Sequence, residues 1–310
     1  VKRYGRIVTS VAAIVVAAAV VFIISSRKTP EPVIRHMTYN RSRVETLAMR
    51  PEFFDAAGFR RALASAEREV PSSEIGGVIR AIIVPHHLLA SSMIASTFRR
   101  ASGRPAKKVV IVGPNHRGLG GADLTTARAC WQAAQGRLCA DDGLVSGLVA
   151  ATGASSNVEV FRDEHSIGAI VPFAARYFPD IPVVPVIVHV DASWKSIQDL
   201  SAWLIGLEDA VIVFSIDFSH YLTRAEAEKK DAMTRDVIEA GDAEQAFALG
   251  GAHVDSAGSL ATALLAARQA GWEIGSISHA NADDFLAMPA AETTSYFSVI
   301  FRDGGQPLLK

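Results

Sequence analysis

The sequence predicts an α/β protein: a mainly parallel or mixed central sheet flanked by helices. Two observations carry this. Short runs such as residues 81–85 and 109–114 are apolar at nearly every position, as strands buried on both faces are. These runs alternate with longer segments of helical periodicity, the order expected of strand–helix–strand units. A third observation poses the functional question. Several of the apolar runs end on a histidine or an aspartate.

Taken in order, the globular domain spans residues 44–310. Residues 52–70 carry apolar side chains at helical intervals, 78–85 read as a strand, 90–101 as the helix behind it and 107–114 as the next strand. Residues 123–142 read as a hairpin turning near Gln135-Gly136. Cys130 and Cys139 flank that turn, and facing strands would bring them within disulfide reach, a bridge that suits an exported domain. Helices follow at 142–152 and 166–178, with Pro172 either kinking the second or sitting near its first turns. Then come a strand at 181–190, a helix at 193–207, a strand at 209–219, and helices at 224–241 and 255–271. Strands at 272–281 and 293–304 close the chain.

The first 28 residues are different material. Lys2, Arg3 and Arg6 precede residues 7–24, a stretch without charge and near the lower limit for crossing a hydrocarbon core of about 30 Å. The expectation is an uncleaved single-pass membrane anchor over 1–28. A cleaved signal peptide is the rival, but no clear small-x-small site follows Ile24. The early basic residues favour a soluble domain outside the membrane, whereas Arg27, Lys28 and Arg35 argue against it. Residues 29–43, with Pro30, Pro32 and scattered charge, read as a linker. A formal net charge of -1 over 310 residues, with no basic stripe, excludes a nucleic-acid footprint.

In open α/β sheets the ligand crevice lies beyond the carboxyl ends of the strands. His86 and His87 follow one apolar run, Asn115 and His116 the next, His189 a third, and Asp217, Ser219, His220 and Tyr221 a fourth. Each has a plain reading on its own. His189 reads as a loop residue, Asp163 and Asp255 as helix N-caps, Asp217 as a turn cap and His279 as a strand-end residue. The joint pattern carries more, because His86, His116 and His220 each close a different strand. Two imidazoles with one carboxylate suit a divalent metal. With open positions left, they match non-haem Fe(II) oxygenases, and zinc accepts the same donors. Adjacent His86 and His87 point in different directions, so one binds and the other lies behind it or on the pocket wall. A nucleophilic Ser219 beside His220 lacks any G-x-S-x-G elbow.

Four stretches in this order, AIIVPHHLL, VVIVGPNHRG, DEHSIGAIVPF and VIVFSIDFSHY, resemble the Memo family, also called AmmeMemoRadiSam system protein B. The resemblance covers about residues 44–302. It implies the fold of class III extradiol ring-cleaving dioxygenases, with a His, His, carboxylate iron site. Carried over by position, it implies His86 and His116 as metal ligands, with Asp217 and His220 lining the pocket. His220 then corresponds to an acid–base residue, oriented by Asp217. Asp255, in DSAGSL, stands where the family carries a cysteine, which restores a carboxylate to the ligand set and removes a thiolate. His87, Asn115, His165 and His279 are expected on or behind the pocket wall. His87-Leu88 replaces the family's Ala-Gly, Gly168 replaces a Glu, and Ile216 replaces the second Ser of a pair whose first is Ser215. The implied cofactor is a divalent metal, Fe(II) first, with zinc or copper as alternatives. Implied partners are a small-molecule substrate or peptide, a radical SAM protein and an AMMECR1-like protein. Three functions stay open: an iron-dependent redox enzyme, a metal-dependent hydrolase or lyase, and a non-catalytic binding module.

Overall fold

The computed structural model describes residues 48–304, apart from 52, 70–75, 104–105 and 135. Its strands are β1 (Ile79–Val84), β2 (Lys108–Pro114), β3 (Leu124–Thr126), β4 (Cys130–Ala133), β5 (Gly136–Cys139), β6 (Ser155–Ser156), β7 (Val183–Val188), β8 (Ala210–Ser215), β9 (His220–Leu222), β10 (Trp272–Asn281) and β11 (Thr293–Asp303). Its helices are α1 (Ala56–Arg68), α2 (Ser91–Ala101), α3 (Asp142–Thr152), α4 (His165–Gly168), α5 (Val171–Tyr177), α6 (Trp194–Ile205), α7 (Arg224–Ala240), α8 (Ala243–Phe247) and α9 (Ala257–Ala270).

The main sheet runs β10-β11-β1-β8-β2-β7-β3-β6, with β9 on β11. The central strands β1, β8, β2 and β7 are parallel. Antiparallel β11 and β10 extend one side, and β3 pairs antiparallel with β7 on the other. The sheet is therefore mixed around a parallel centre. Both faces of that centre are covered, which is why its strands are apolar without alternation. Ile82, Val84 and Ile111 pack on Phe98 of α2 and Phe173 of α5. Their neighbours Ile83, Val110, Val112 and Phe214 pack on Leu200 of α6 and Leu264 of α9.

Register places the site. Val84 lies beside Ser215 in the parallel β1–β8 pair. His86 and Asp217, each two residues further on, therefore leave the sheet side by side. Val112 lies beside Phe214 in the β2–β8 pair, which brings His116 to the same rim.

The structure departs from the sequence reading at four places. Residues 124–126 leave the expected hairpin and join the main sheet, so only β4 and β5 form it. Within it the sequence reading holds: Cys130 faces Cys139, and the two form a disulfide. The helix expected over 166–178 is broken into α4 and α5, and Pro172 sits in the first turn of α5, where its missing N–H removes no helical hydrogen bond. At α9 the N-cap is Ser256, whose Oγ accepts from the Ser259 N–H at 3.2 Å. The Asp255 carboxylate is thereby released from capping. The membrane-anchored assignment is not borne out: among the described residues no helix is long and apolar enough to cross a membrane, and residues 7–24 lie outside the described residues.

Close packing of β2 on α4 fixes the rim. A Cβ at Gly113 would stand 2.8 Å from Ser166 Oγ and 2.9 Å from Ser166 Cβ. Gly113→Ala should destabilise the protein by about 1–3 kcal/mol through overpacking. Urea unfolding checks this, and an unchanged midpoint would show that the contact gives way freely.

Candidate metal centre

His86, buried at the end of β1, is held at both ring and backbone. Its N–H donates to Asp217 Oδ1 at 3.0 Å, and Nδ1 lies 3.1 Å from Ser215 Oγ. The Ser215 hydroxyl already donates its one proton to the Ser166 carbonyl. It can only accept from His86, so His86 Nδ1 carries hydrogen and Nε2 carries the lone pair. His116 repeats the arrangement. Glu164, 1% exposed, accepts the His116 backbone N–H at 2.9 Å and faces its Nδ1 at 2.7 Å. An ionised carboxylate only accepts, so Nδ1 again carries the proton.

Both Nε2 atoms face Asp255. Its Oδ2 lies 3.2 Å from His86 Nε2 and 3.7 Å from His116 Nε2. Asp255 Oδ1 is buried and has no hydrogen-bond partner among the described residues. Asp255 arrives here because the segments before α9 and after β8 are tied together. Phe218 and Val254 form a bridge, Asp255 N–H donates to the Asp217 carbonyl at 3.0 Å, and Asp217 N–H donates to Asp255 Oδ2 at 3.2 Å.

Two neutral imidazoles and a carboxylate aimed at one point would present only lone pairs to each other. A cation between them, proton or metal, removes the repulsion. Without a metal, protons serve. Burial disfavours a charged His116, but Asp255 and Glu164 outweigh it and raise its pKa to about 10. Burial also opposes charge on His86, yet Asp217 and Asp255 push its pKa up. Asp255 is held well below the usual carboxylate range by His116 and His86, against the effect of burial.

A metal fits the same atoms. Ligand atoms about 2.1 Å from one ion lie roughly 3.0–3.4 Å apart when adjacent, close to the observed Asp255 separations. The Nδ1 partners Ser215 and Glu164 are the kind of outer groups that fix ligating imidazoles. Among the described residues, His86, His116 and His165 form a group whose ligand atoms all lie within 4.8 Å of one another, and this cluster could bind a metal ion. His165 opens α4, stacked on His116 with ring centroids 4.0 Å apart. Burial, then the charges of His116 and His86, lower its pKa to about 4, which keeps it neutral and able to ligate.

The cluster floors a cavity of about 640 Å³, walled also by His87, Asp217, His220 and Tyr221. His87 Nδ1 lies 2.7 Å from the Tyr296 hydroxyl. Burial, then Asp217, pushes the Tyr296 pKa strongly up, so the phenol stays a donor. His87 Nδ1 accepts from it and Nε2 keeps the proton. His220 has the opposite tautomer: Nδ1 donates to the Phe218 carbonyl, which leaves Nε2 basic. Asp217 directs its carboxylate at His86 and the His87 N–H rather than at His220, against the expected pairing.

Two expected pocket residues are used elsewhere. Asn115 braces its own loop, donating to the Leu119 carbonyl at 2.7 Å and accepting the Leu119 N–H at 3.2 Å. His279 is not brought to this cavity; its Nε2 bonds Asp231 Oδ2 at 2.9 Å. Ser219 is wholly buried and bonds Asp231 at 2.9 Å, which removes it as a nucleophile. His189 Nδ1 accepts the Asp191 N–H at 3.2 Å, a loop role. The sequence reading passed over Glu164, although it stands inside the DEHS stretch between two residues already singled out. Its position beside His165 is the only sign the sequence carries, because what sets it apart is its burial, which one sequence does not display.

An α/β sheet whose carboxyl rim gathers three imidazoles able to hold a metal defines the class: a candidate metal-binding α/β protein. Residues 60–299 match the family of Memo-like proteins, and the chain belongs to that family. It is 29% identical to a MEMO1 family protein of Aquifex aeolicus over 174 residues, 54% of this chain and 64% of that protein, just under two thirds of its length. It is 31% identical to one of Aeropyrum pernix over 216 residues, 66% of this chain and 77% of the other. An uncharacterized protein of Escherichia coli K12 of known structure has a TM-score of 0.46 and 12% identity, over 71% of this chain and 99% of that one.

His116 gives the metal-free protein a pH signature. Its folded pKa of about 10 lies above the unfolded value of 6.5, so its stabilisation is full below pH 6.5 and is lost as pH rises through 10. Melting temperature of metal-free protein should fall by several degrees across that window, and His116→Gln should flatten the fall. An equal slope in the variant would assign the effect elsewhere.

Proposed function

We propose that the protein is an Fe(II)-dependent redox enzyme of the ring-cleaving dioxygenase kind, acting on a small aromatic substrate. The observation that supports this best is the convergence of His86 Nε2, His116 Nε2 and Asp255 Oδ2, at 3.2 and 3.7 Å, on one point at the floor of the cavity. Two imidazoles, one carboxylate and no thiolate form the donor set of non-haem iron oxygenases. Bound iron would supply open positions at which oxygen and a chelating substrate meet.

The chain's own residues do the rest. Glu164 and Ser215 hold the two rings through Nδ1, so the ligand atoms need no reorientation when a metal enters. Asp217 fixes the turn that carries His86 and His87 by accepting both backbone N–H groups, at 3.0 and 3.4 Å. His220 Nε2 takes the proton from a substrate hydroxyl, and Nδ1 stays bonded to the Phe218 carbonyl throughout. His87 Nε2–H, on the same cavity, donates to a substrate oxygen as negative charge builds there. His87 and His220 therefore act as a donor and an acceptor, a division set by their hydrogen-bond partners.

Protein purified without oxygen should carry iron, and Asp255→Asn and Glu164→Gln should each weaken iron binding by roughly 10–100-fold. Metal analysis with competitive chelation measures this. Zinc alone in the wild type would favour a hydrolase, and unchanged affinity in Asp255→Asn would remove Asp255 from the ligand set.

His220→Gln should keep the iron and lower oxygen uptake on a catechol panel by about 10²–10⁴-fold. A variant as active as wild type would exclude His220 as the base.

A further inference from the structure

A second cavity of about 530 Å³ adjoins the metal pocket. The two share Phe53, Leu88 and Leu89 as a common wall. Phe53 stands just before α1, and its ring packs edge-on against His165 at 5.7 Å. From that shared end the second cavity follows α1. Gly58, Ala62, Ser65 and Arg68 line it at steps of four, three and three residues, which is one face of a helix. Phe59, Pro172 and Phe173 supply apolar surface.

The two ends differ chemically. The near end touches the imidazole cluster. The far end is about 18 Å away along the axis of α1, taking 1.5 Å per residue from Ala56 to Arg68. There Arg68 closes the cavity, and among the described residues no carboxylate pairs with it, whereas Arg61 is already 3.7 Å from Asp55. A passage with aromatic and aliphatic walls at Phe53, Phe59, Leu88, Leu89 and Phe173, a metal-capable group at one end and, among the described residues, a guanidinium without a carboxylate partner at the other favours one kind of occupant.

We infer that this cavity is the tail subsite of the metal pocket, taking a substrate whose metal-chelating aromatic head carries a hydrocarbon body and a terminal carboxylate. This rests on the metal-binding reading above. The head meets the histidines, the body passes the wall of Phe53, Leu88 and Leu89 and lies along α1, and the carboxylate meets Arg68. Arg68 suits that role because a guanidinium presents paired donors to a carboxylate.

Isothermal titration of the metal-loaded protein with acetohydroxamate, dodecanohydroxamate and dodecanedioic acid monohydroxamate tests this. Acetohydroxamate reports the metal alone. Dodecanohydroxamate should bind about tenfold tighter or more through burial of its chain. Dodecanedioic acid monohydroxamate should bind tighter again. Ser65→Phe should abolish the gain from chain length without changing acetohydroxamate binding. Arg68→Gln, an exposed change that leaves the core intact, should remove only the gain from the terminal carboxylate. If acetohydroxamate binds and length makes no difference, the subsite is overturned and the metal site stands. A length effect that survives Ser65→Phe also overturns the subsite. If no hydroxamate binds, both readings fail together.

Discussion

The structure turns on one electrostatic constraint. A buried carboxylate, Asp255, is held against two imidazole nitrogens, Nε2 of His86 and of His116, whose rings keep their other proton on Nδ1 against Ser215 and Glu164. Such a grouping is costly unless a cation joins it. In metal-free protein His116 takes up a proton, its pKa raised to about 10 by Asp255 and Glu164 against burial, and Asp217 and Asp255 push that of His86 upward as well. A divalent metal satisfies the same atoms and releases those protons. The site thus resembles one set to exchange protons for a metal ion.

The sheet holds this costly arrangement in place. Parallel β1, β8 and β2 deliver His86, Asp217 and His116 in register, and the cores on both faces of the sheet fix those strand ends. Asp255 comes from outside the sheet and is pinned by the Phe218–Val254 bridge and by its backbone bonds to Asp217. Gly258, in the first turn of α9, lets that helix approach closely, since a Cβ there would stand 2.8 Å from Val188 Cγ1. The rim that carries the imidazoles is therefore an extension of core packing.

Much of this is legible in the sequence. Apolar runs ending in histidine give the parallel centre and its rim, because burial on both faces needs continuous hydrophobicity. The Cys130–Cys139 pairing follows from hairpin symmetry. Other features depend on contacts that no single segment encodes. Glu164 joins the site only because its carboxylate meets His116 across 48 positions of chain. His279 has the same composition signal as His220, yet strand β10 runs at the sheet's edge and leads it to Asp231. The break before Val171 was visible as Pro172, but a kink and a new helix start have the same signature. The reading of residues 7–24 as a membrane span rests on hydropathy alone.

X-ray absorption and a crystal structure of iron-loaded protein measure directly which atoms close around the cation. The expected result is iron bonded to His86 Nε2, His116 Nε2 and an Asp255 oxygen, each at about 2.1 Å. Iron held by His86, His116 and His165, with the Asp255 carboxylate outside bonding distance, would contradict it.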